Sequence, residues 1–342
     1  MNDTGNLSSK EYIISTVEAH AGGEPLRVIT SGFPPLSGKT MLEKRRQARA
    51  KWDFLRTALM WEPRGHADMY GAIITNPVTA DGDLGVLFLH NEGFSTMCGH
   101  GIIALTTVVL ETEMIPRLKG KSTLHIDTPA GRVTSRARIK NGRVQNVSFT
   151  NVPSFAVCLG EKTDIPGLGQ ITYDIAFGGA FYAFCDAEKI GLELTPGHIE
   201  KLIHMGRSIK KTVAGKLPLI HPGSKDLGYL YGTIFIGPPL DPSHHSRNVC
   251  IFAEGEVDRS PTGTGVSARA ALLYARKELK LNQNFTVESI IGTCFEGRIM
   301  ETGRLGSYKT VIPEVTGSAH ITGRSTFQID PRDPLRFGFI LR

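Results

Sequence analysis

Two glycine-rich segments, each followed by a stretch with no polar face, constrain the fold of this 342-residue chain more than any other feature. The first segment is Cys98–Gly101, and residues 102–110 after it are apolar or small around the whole circumference of a helix. The second is Thr262–Gly265, and residues 266–275 repeat this pattern with Arg269 as the one charged exception. Because a helix that is apolar on every face is buried on all sides, each segment predicts a central, enclosed helix.

The spacing of the two segments indicates an internal duplication, because they are separated by about half of the chain. The chain length also favours roughly two domains. We therefore predict a first half over residues 11–155 and a second half over residues 156–342, with the C-terminal strand a candidate to return to the first half. Short strand-like runs outnumber helices, so the expected fold class is α/β (α+β) with two pseudo-symmetric halves.

The chemistry of the repeated segments follows from glycines placed before a helix. Such glycines let a ligand reach the free backbone N–H groups of the first turn, where the helix dipole also favours negative charge. Two N-termini that face each other across a cleft would hold a carboxylate. The dipole also favours a thiolate, so we predict that Cys98 is more acidic than a free cysteine, whose pKa is about 8.5. A thiolate beside a bound carboxylate can remove an α-proton.

Both segments also match the G-x-G-x-x-A pattern of dinucleotide sites, over residues 99–104 and 263–268. A nicotinamide-dependent enzyme is therefore an alternative. It is disfavoured because neither segment opens a regular βαβ series and because a Rossmann helix would show one polar face. The remaining cysteines are predicted to be small buried hydrophobic residues. They are Cys158, Cys185, Cys250 and Cys294.

Other polar residues carry weaker signals. His244 and His245 form a weak metal-site signal on a predicted loop, where a surface role is favoured. His66 and Asp68 are equally compatible with a polar site and with packing at the entry to a strand. Thr195 is predicted to begin a helix as its N-cap, followed by a proline at the first helical position.

Composition excludes several partners. Hydrophobic residues make up 40% and charged residues 21% of the chain, which is typical of a globular protein. The net charge is +6, but the densest basic run, over residues 44–51, follows a capping box at Thr40–Glu43 and is predicted to be a solvated helix face.

Five cysteines with no CxxC pair fit a reducing compartment. Without a signal sequence or about 18 consecutive apolar residues, the chain is predicted to be cytoplasmic, with no nucleic-acid or membrane partner.

The sequence resembles the proline racemase family over nearly its whole length. The matching motifs are Gly23-Glu24-Pro25-Leu26-Arg27, Glu62-Pro63-Arg64-Gly65-His66, Met97-Cys98-Gly99-His100-Gly101, Asp127-Thr128-Pro129-Ala130-Gly131, Asn151-Val152-Pro153-Ser154-Phe155 and Asp258-Arg259-Ser260-Pro261-Thr262-Gly263-Thr264-Gly265. The resemblance implies a fold like that of diaminopimelate epimerase, with a barrel-like mixed sheet around a central helix in each half and the site between the halves. It also implies that no cofactor or metal is used, and it is compatible with a homodimer.

The resemblance further implies roles for individual residues. Cys98 is similar to the first acid/base residue of the family. Backbone N–H groups at Gly99, His100, Gly263 and Thr264 match positions that hold the substrate carboxylate. The side chains of His100 and Asp258 match positions near the ring nitrogen of a cyclic amino acid, where an anionic Asp258 also suits a ring ammonium on charge alone.

Thr262 departs from the family pattern, because racemases and epimerases of the family carry a second cysteine there. Two-base racemisation needs an acid and a base on opposite faces of the α-carbon, and a threonine hydroxyl does not ionise easily near neutral pH. In trans-3-hydroxy-L-proline the hydroxyl lies on the same face as the α-hydrogen, so a single residue can catalyse a syn elimination of water. The Cys98 and Thr262 pairing resembles the dehydratase subgroup of the family, which implies a hydro-lyase that forms pyrroline-2-carboxylate.

Three alternatives stay open on the sequence. The first is a proline racemase or hydroxyproline 2-epimerase that uses Thr262 or a bound water as its second group. The second is a non-catalytic protein that binds small cyclic amino acids. The third is the nicotinamide-dependent enzyme.

Overall fold

The computed structural model describes residues 10–341. Residues 1–9, in the region where the sequence predicts no signal sequence, lie outside the described residues. Within residues 10–341 the chain forms four α-helices and eighteen strands. The helices are α1 (Met41–Met60), α2 (Gly99–Thr112), α3 (Ile199–Lys216) and α4 (Gly263–Ala275). The strands are β1 (Tyr12–Ala21), β2 (Glu24–Ser31), β3 (Tyr70–Thr75), β4 (Leu84–His90), β5 (Gly93–Phe94), β6 (Thr123–Thr128), β7 (Gly131–Lys140), β8 (Arg143–Thr150), β9 (Phe155–Ile165), β10 (Gly169–Phe177), β11 (Phe181–Asp186), β12 (Leu230–Gly237), β13 (Ser246–Phe252), β14 (Glu256–Asp258), β15 (Asn284–Glu288), β16 (Cys294–Leu305), β17 (Tyr308–Gly317) and β18 (Ala319–Ile329).

The strand pairings repeat between the two parts of the chain. In the first part β1 is antiparallel to β2, β2 is parallel to β3, and β4 pairs antiparallel with β3 and β5 and parallel with β6. In the second part β10, β11, β12, β13, β14 and β15 make the same set of pairings in the same order. The antiparallel strands β6–β7–β8 correspond in the same way to β15–β16–β17. The predicted fold class, two pseudo-symmetric halves with mixed sheets, is confirmed.

Strands from both parts join the two repeats into one sheet. β8 pairs antiparallel with β17, β9 pairs with β10, and β18 pairs with β1 from Tyr12 opposite Ile329 to Ala21 opposite Ala319. The last strand of the chain therefore lies beside the first. The division at residues 155 and 156 stays a prediction.

The two helices predicted to be enclosed are indeed buried. Residues 99–109 of α2 are all buried, and so are residues 263–268 and 270–273 of α4. Arg269 alone in that stretch is partly exposed. Because strands surround these helices and most of those strands are antiparallel, the fold does not support the dinucleotide-binding interpretation. No helix within residues 10–341 is long and apolar enough to cross a membrane.

The other two helices connect parallel strands, α1 between β2 and β3 and α3 between β11 and β12. The capping box at α1 is confirmed, since Glu43 N–H donates to Thr40 Oγ1. The prediction that the basic face of α1 is solvated is wrong at Lys44. This residue is buried, and its Nζ donates to Thr75 Oγ1 at 3.1 Å. The helix predicted at Thr195 begins with a 3-10 turn, and its α-helical part begins only at Ile199.

Candidate active site

Cys98 is the N-cap residue of α2, with an extended backbone (φ −146°, ψ 116°). Its Sγ accepts a hydrogen bond from Gly101 N–H at 3.2 Å, and His100 Nδ1 lies 3.1 Å from the same sulfur. The side chain is only 5% exposed. The thiol therefore lies at the positive end of a buried helix, with two polar groups directed at its sulfur.

The pKa of Cys98 differs from the expectation of an acidic thiol. Burial raises the pKa well above its ordinary value, and the charge of Asp258 raises it further, against the lowering effect of the hydrogen bond from Gly101. The predicted acidity is therefore wrong for the site that the chain builds, because burial outweighs the helix N-terminus. A cationic group beside Asp258 would offset one of these causes and favour the thiolate.

Thr262 is the N-cap residue of α4, but its geometry differs from that of Cys98. Its backbone is left-handed (φ 65°, ψ 90°), which is rare for a β-branched residue, and its side chain does not cap the helix. Thr262 Oγ1 is buried without a hydrogen bond of normal geometry in the described part of the chain. The Cys250 thiol lies close enough that the hydroxyl lowers the pKa of that thiol. The two glycine-rich segments are therefore alike in fold and unlike at the reactive side chain.

The N-termini of α2 and α4 touch through backbone atoms. A Cβ atom built on Gly99 would lie 2.5 Å from Gly263 Cα, and one built on Gly263 would lie 2.7 Å from Gly99 Cα. Such separations leave no room for a side chain at either position. The facing helix N-termini expected from the repeat are thus present, and glycine is required where they meet.

Replacing either contact glycine with alanine should separate the two helices. We expect Gly99→Ala or Gly263→Ala to lower the free energy of unfolding by about 1–3 kcal/mol, the usual cost of overpacking. Gly215→Ala in α3 is the matched control, because a Cβ there meets no atom within 4 Å and alanine favours helix. Thermal and urea unfolding measure the difference, and equal stability of the three variants would contradict the close approach.

One buried cavity collects all of the residues implied by the family resemblance. Its lining includes Cys98, Gly99, His100, Asp258, Thr262, Gly263 and Thr264. The remaining lining residues come from the strands and from the residue before Cys98. They are Tyr70, Met97, Tyr182, Tyr231, Cys250 and Phe252. Cys98 and Thr262 therefore border the same small space, which is the arrangement expected for groups that act on one α-carbon.

Asp258 and His100 lie on opposite halves beside this cavity. Asp258 ends β14, and its Oδ1 accepts the N–H of Ser260 at 2.8 Å. Burial lowers the pKa of His100, while the charge of Asp258 and the carbonyl of Pro25 act to raise it. A neutral imidazole and a carboxylate thus stand where the resemblance implies contact with a ring nitrogen.

Aromatic hydroxyls form a polar network around the cavity that the sequence did not reveal. Tyr182 Oη lies 2.7 Å from Thr264 Oγ1, and Tyr70 Oη lies 2.5 Å from Ser95 Oγ. Burial raises the pKa of both tyrosines well above the ordinary value, so both remain neutral. They can donate or accept hydrogen bonds without adding charge to the site.

Cys250 is buried, as predicted, but it also lines the cavity, which its prediction as a small buried hydrophobic residue does not anticipate. Its place at the cavity follows from the pairing of β13 with β14, where Cys250 lies opposite Asp258. Only a prediction of this strand pairing could have located it. Among the other cysteines Cys185 is buried, Cys158 is half-buried, and Cys294 is exposed, so the prediction is wrong for Cys294. Cys294 starts β16, and its Sγ lies 3.9 Å from His244 Nδ1.

The remaining polar candidates lie outside the cavity. His66 is exposed, whereas Asp68 is buried and its Oδ2 lies 2.8 Å from Arg259 Nη1. Asp68 therefore supports the segment that carries Asp258. His244 Nδ1 lies 2.8 Å from Glu288 Oε1, and residues 10–341 contain no group of three or more potential ligands that could hold a metal ion.

Comparisons with known proteins show which sequences and structures this chain is similar to. The sequence profile of the family described as Proline racemase matches residues 16–340. A trans-3-hydroxy-L-proline dehydratase of Colwellia psychrerythraea is 47% identical, over 98% of this chain and 95% of that protein. A 3-hydroxyproline 2-epimerase of Burkholderia multivorans is 43% identical, over 96% of this chain and 98% of that protein.

A similar solved structure is a hydroxyproline epimerase from Agrobacterium vitis with bound trans-4-hydroxy-L-proline. It superposes with a TM-score of 0.91 at 29% sequence identity, over 96% of this chain and 95% of that one. The two-half architecture is therefore shared with an enzyme that binds a cyclic amino acid.

Proposed function

The chain belongs to the proline racemase family, and on that basis we propose that it is a trans-3-hydroxy-L-proline dehydratase, a hydro-lyase that forms pyrroline-2-carboxylate. The observation that carries the proposal is the pairing of Cys98 with Thr262 at one cavity. A single ionisable side chain there suits an elimination in which the α-hydrogen and the hydroxyl leave from the same face. The name of the relative from Colwellia psychrerythraea supports the same substrate.

The substrate carboxylate would bind to the backbone N–H groups at the N-termini of α2 and α4. In each helix the first four N–H groups lack partners within the helix, and the dipole adds positive potential. The ring ammonium would lie between Asp258 and His100. Because burial and Asp258 raise the pKa of Cys98, an ammonium that pairs with Asp258 would lower this pKa and favour the reactive thiolate.

The elimination then needs Cys98 in two roles. Its thiolate takes the α-proton as the C2–C3 double bond forms, and the new thiol gives this proton to the departing hydroxyl, which leaves as water. Thr262 remains a neutral wall on the opposite face. The resulting protonated enamine gains a proton at C3 and loses two from nitrogen, a net release of one proton to solvent, to give the cyclic imine.

Incubation in deuterated water tests the proposal directly. The substrates are trans-3-hydroxy-L-proline, trans-4-hydroxy-L-proline and L-proline, and the readouts are imine formation and α-deuterium exchange. Imine from the first substrate is the expected result. Exchange with change of chirality and without loss of water would instead support a 2-epimerase, the activity in the name of the relative from Burkholderia multivorans. Neither exchange nor imine would indicate a binding protein.

The proposal also covers the absence of a cofactor or metal, the oligomeric state and the cellular location. Cys98 supplies both proton transfers, so we expect activity to survive dialysis against a chelator with no added cofactor. We also expect a homodimer, measurable by light scattering, and a cytoplasmic location, measurable by cell fractionation.

Asp258→Asn should weaken substrate binding without unfolding the chain. The loss of a charge-assisted hydrogen bond to the ring ammonium is expected to cost about 1.5–3 kcal/mol, or roughly 10- to 150-fold in KM. The variant should fold, because Asn can still accept the N–H of Ser260. Circular dichroism checks that it does. Unchanged KM and kcat in the folded variant would exclude Asp258 from the site.

A further inference from the structure

Glu24 is a fully buried carboxyl group next to the proposed ammonium site. It is the first residue of β2 and is 0% exposed. Its Oε2 accepts the backbone N–H of Arg259 at 2.7 Å. Its Oε1 is buried and has no hydrogen-bonding partner within residues 10–341. One oxygen thus holds the residue that follows Asp258, and the other is available to carry a proton.

The residue after Glu24 contacts the second group at the ammonium site. The carbonyl of Pro25 accepts a hydrogen bond from the His100 ring, an interaction that raises the pKa of His100. The Glu24–Pro25 segment of the first half therefore reaches His100 on α2 and the backbone beside Asp258 on β14. A shift of this short segment would move both groups that face the ring nitrogen.

The charges around Glu24 favour its neutral form. Burial raises the pKa of Glu24 well above its ordinary value, and Asp258 and Asp68 act in the same direction, against the lowering effects of the Arg259 charge and N–H. Glu24 also interacts with Cys98 and Cys250, and a charge on Glu24 would raise the pKa of both thiols. An ionised Glu24 would therefore oppose formation of the Cys98 thiolate.

We propose that Glu24 is a positioning residue for substrate binding, which acts as a neutral carboxylic acid that fixes the Asp258–Arg259 backbone and leaves the negative charge of the site on Asp258. The inference deepens the proposed function, because it assigns how the ammonium of a cyclic amino acid meets its carboxylate partner. It also explains why a buried acid can lie close to a catalytic thiol without suppressing its ionisation.

Glu24→Gln tests the neutral state, because glutamine has the shape of a protonated glutamate and keeps the oxygen that accepts the Arg259 N–H. We expect KM and kcat for trans-3-hydroxy-L-proline within about threefold of the unmodified protein. The pH dependence of Cys98 alkylation by iodoacetate, followed by peptide mass spectrometry, should stay unchanged. A shift of this profile to lower pH by more than about half a pH unit would show that Glu24 is ionised and would overturn the proposal.

Glu24→Leu and Glu24→Asp test the positioning role. Leucine has a similar size but cannot accept the Arg259 N–H, and aspartate keeps a carboxyl that is shorter by about 1.5 Å. Both should raise KM by about tenfold or more and change kcat less. If the leucine variant does not fold, the aspartate variant carries the test. Equal KM in the glutamine, aspartate and unmodified proteins would exclude a positioning role.

Glu288→Gln is a matched control on a second buried glutamate that accepts backbone N–H groups, those of Leu240 and Asp241. Burial acts to raise the pKa of Glu288, but these N–H groups and His244 together lower it, so this glutamate is ionised. The control should lose thermal stability and keep KM.

Failure of the proposed function can be distinguished from failure of this inference. If the unmodified protein forms no imine, only the proposed function fails. The Glu24 variants are then compared with the unmodified protein by their binding of L-proline, measured by calorimetry.

Discussion

Cys98→Ser should lower the turnover number for dehydration of trans-3-hydroxy-L-proline by about 100- to 10,000-fold, the range typical of a general acid/base group. A serine hydroxyl is far less acidic than a thiol and cannot supply the base at neutral pH. The exchange replaces one sulfur by a smaller oxygen that can still accept the N–H of Gly101, so the fold should persist. Steady-state measurement of imine formation gives the turnover number.

Alkylation provides an independent test of the same residue. Iodoacetate should modify Cys98 more slowly when L-proline is bound, while the exposed Cys294 should react at the same rate with and without ligand. Peptide mapping separates the two sites and also reports on Cys250, which shares the cavity. Near-normal turnover in a folded Cys98→Ser variant would remove Cys98 from the mechanism.

The parts of the site that the sequence predicted are those encoded by local pattern. Glycine before an apolar stretch identified α2 and α4, and the repetition of this pattern predicted that their N-termini face each other. Gly99 and Gly263 meet at a distance that only glycine permits. These features depend on a few adjacent residues, so a single sequence can reveal them.

The parts that the sequence did not reveal depend on contacts between distant strands. Cys250 and Tyr182 come from strands of the second half, where no local pattern separates a residue that faces a cavity from one that faces the core. The acidity of Cys98 was mispredicted for a related reason. The helix N-terminus is visible in the sequence, whereas the burial and the nearby Asp258 that outweigh it come from tertiary structure. The same holds for Lys44, which reaches Thr75 across the first half.

Thr262→Cys should give the protein a measurable α-epimerisation of L-proline or trans-4-hydroxy-L-proline, at least about tenfold above that of the unmodified protein. The substitution places a thiol at the second helix N-terminus, where the dipole favours ionisation. Cys98 and the new thiol would then border the same cavity from the two halves. Chiral chromatography of the recovered amino acid measures the gain.

The rate in this variant should remain modest because the two N-caps differ in geometry. Cys98 is extended and accepts the N–H of Gly101, whereas residue 262 is left-handed and accepts no such bond. A thiol at 262 would therefore lack one of the groups that lower the pKa of Cys98. A general base also needs placement to within about 0.5 Å, and the site is not adjusted for it. Slow epimerisation beside retained dehydration is the expected combination.

A double variant, Thr262→Cys with Cys250→Ala, is the necessary control, because the Cys250 thiol lies beside residue 262 and could form a disulfide with the new cysteine. Epimerisation should survive in the double variant. If the unmodified protein already inverts L-proline efficiently, Thr262 does not separate elimination from inversion, and the dehydratase proposal loses its physical basis. If both variants fold and dehydrate but exchange no α-proton of L-proline, residue 262 does not face the α-carbon, and the opposing faces assigned to Cys98 and Thr262 must be revised.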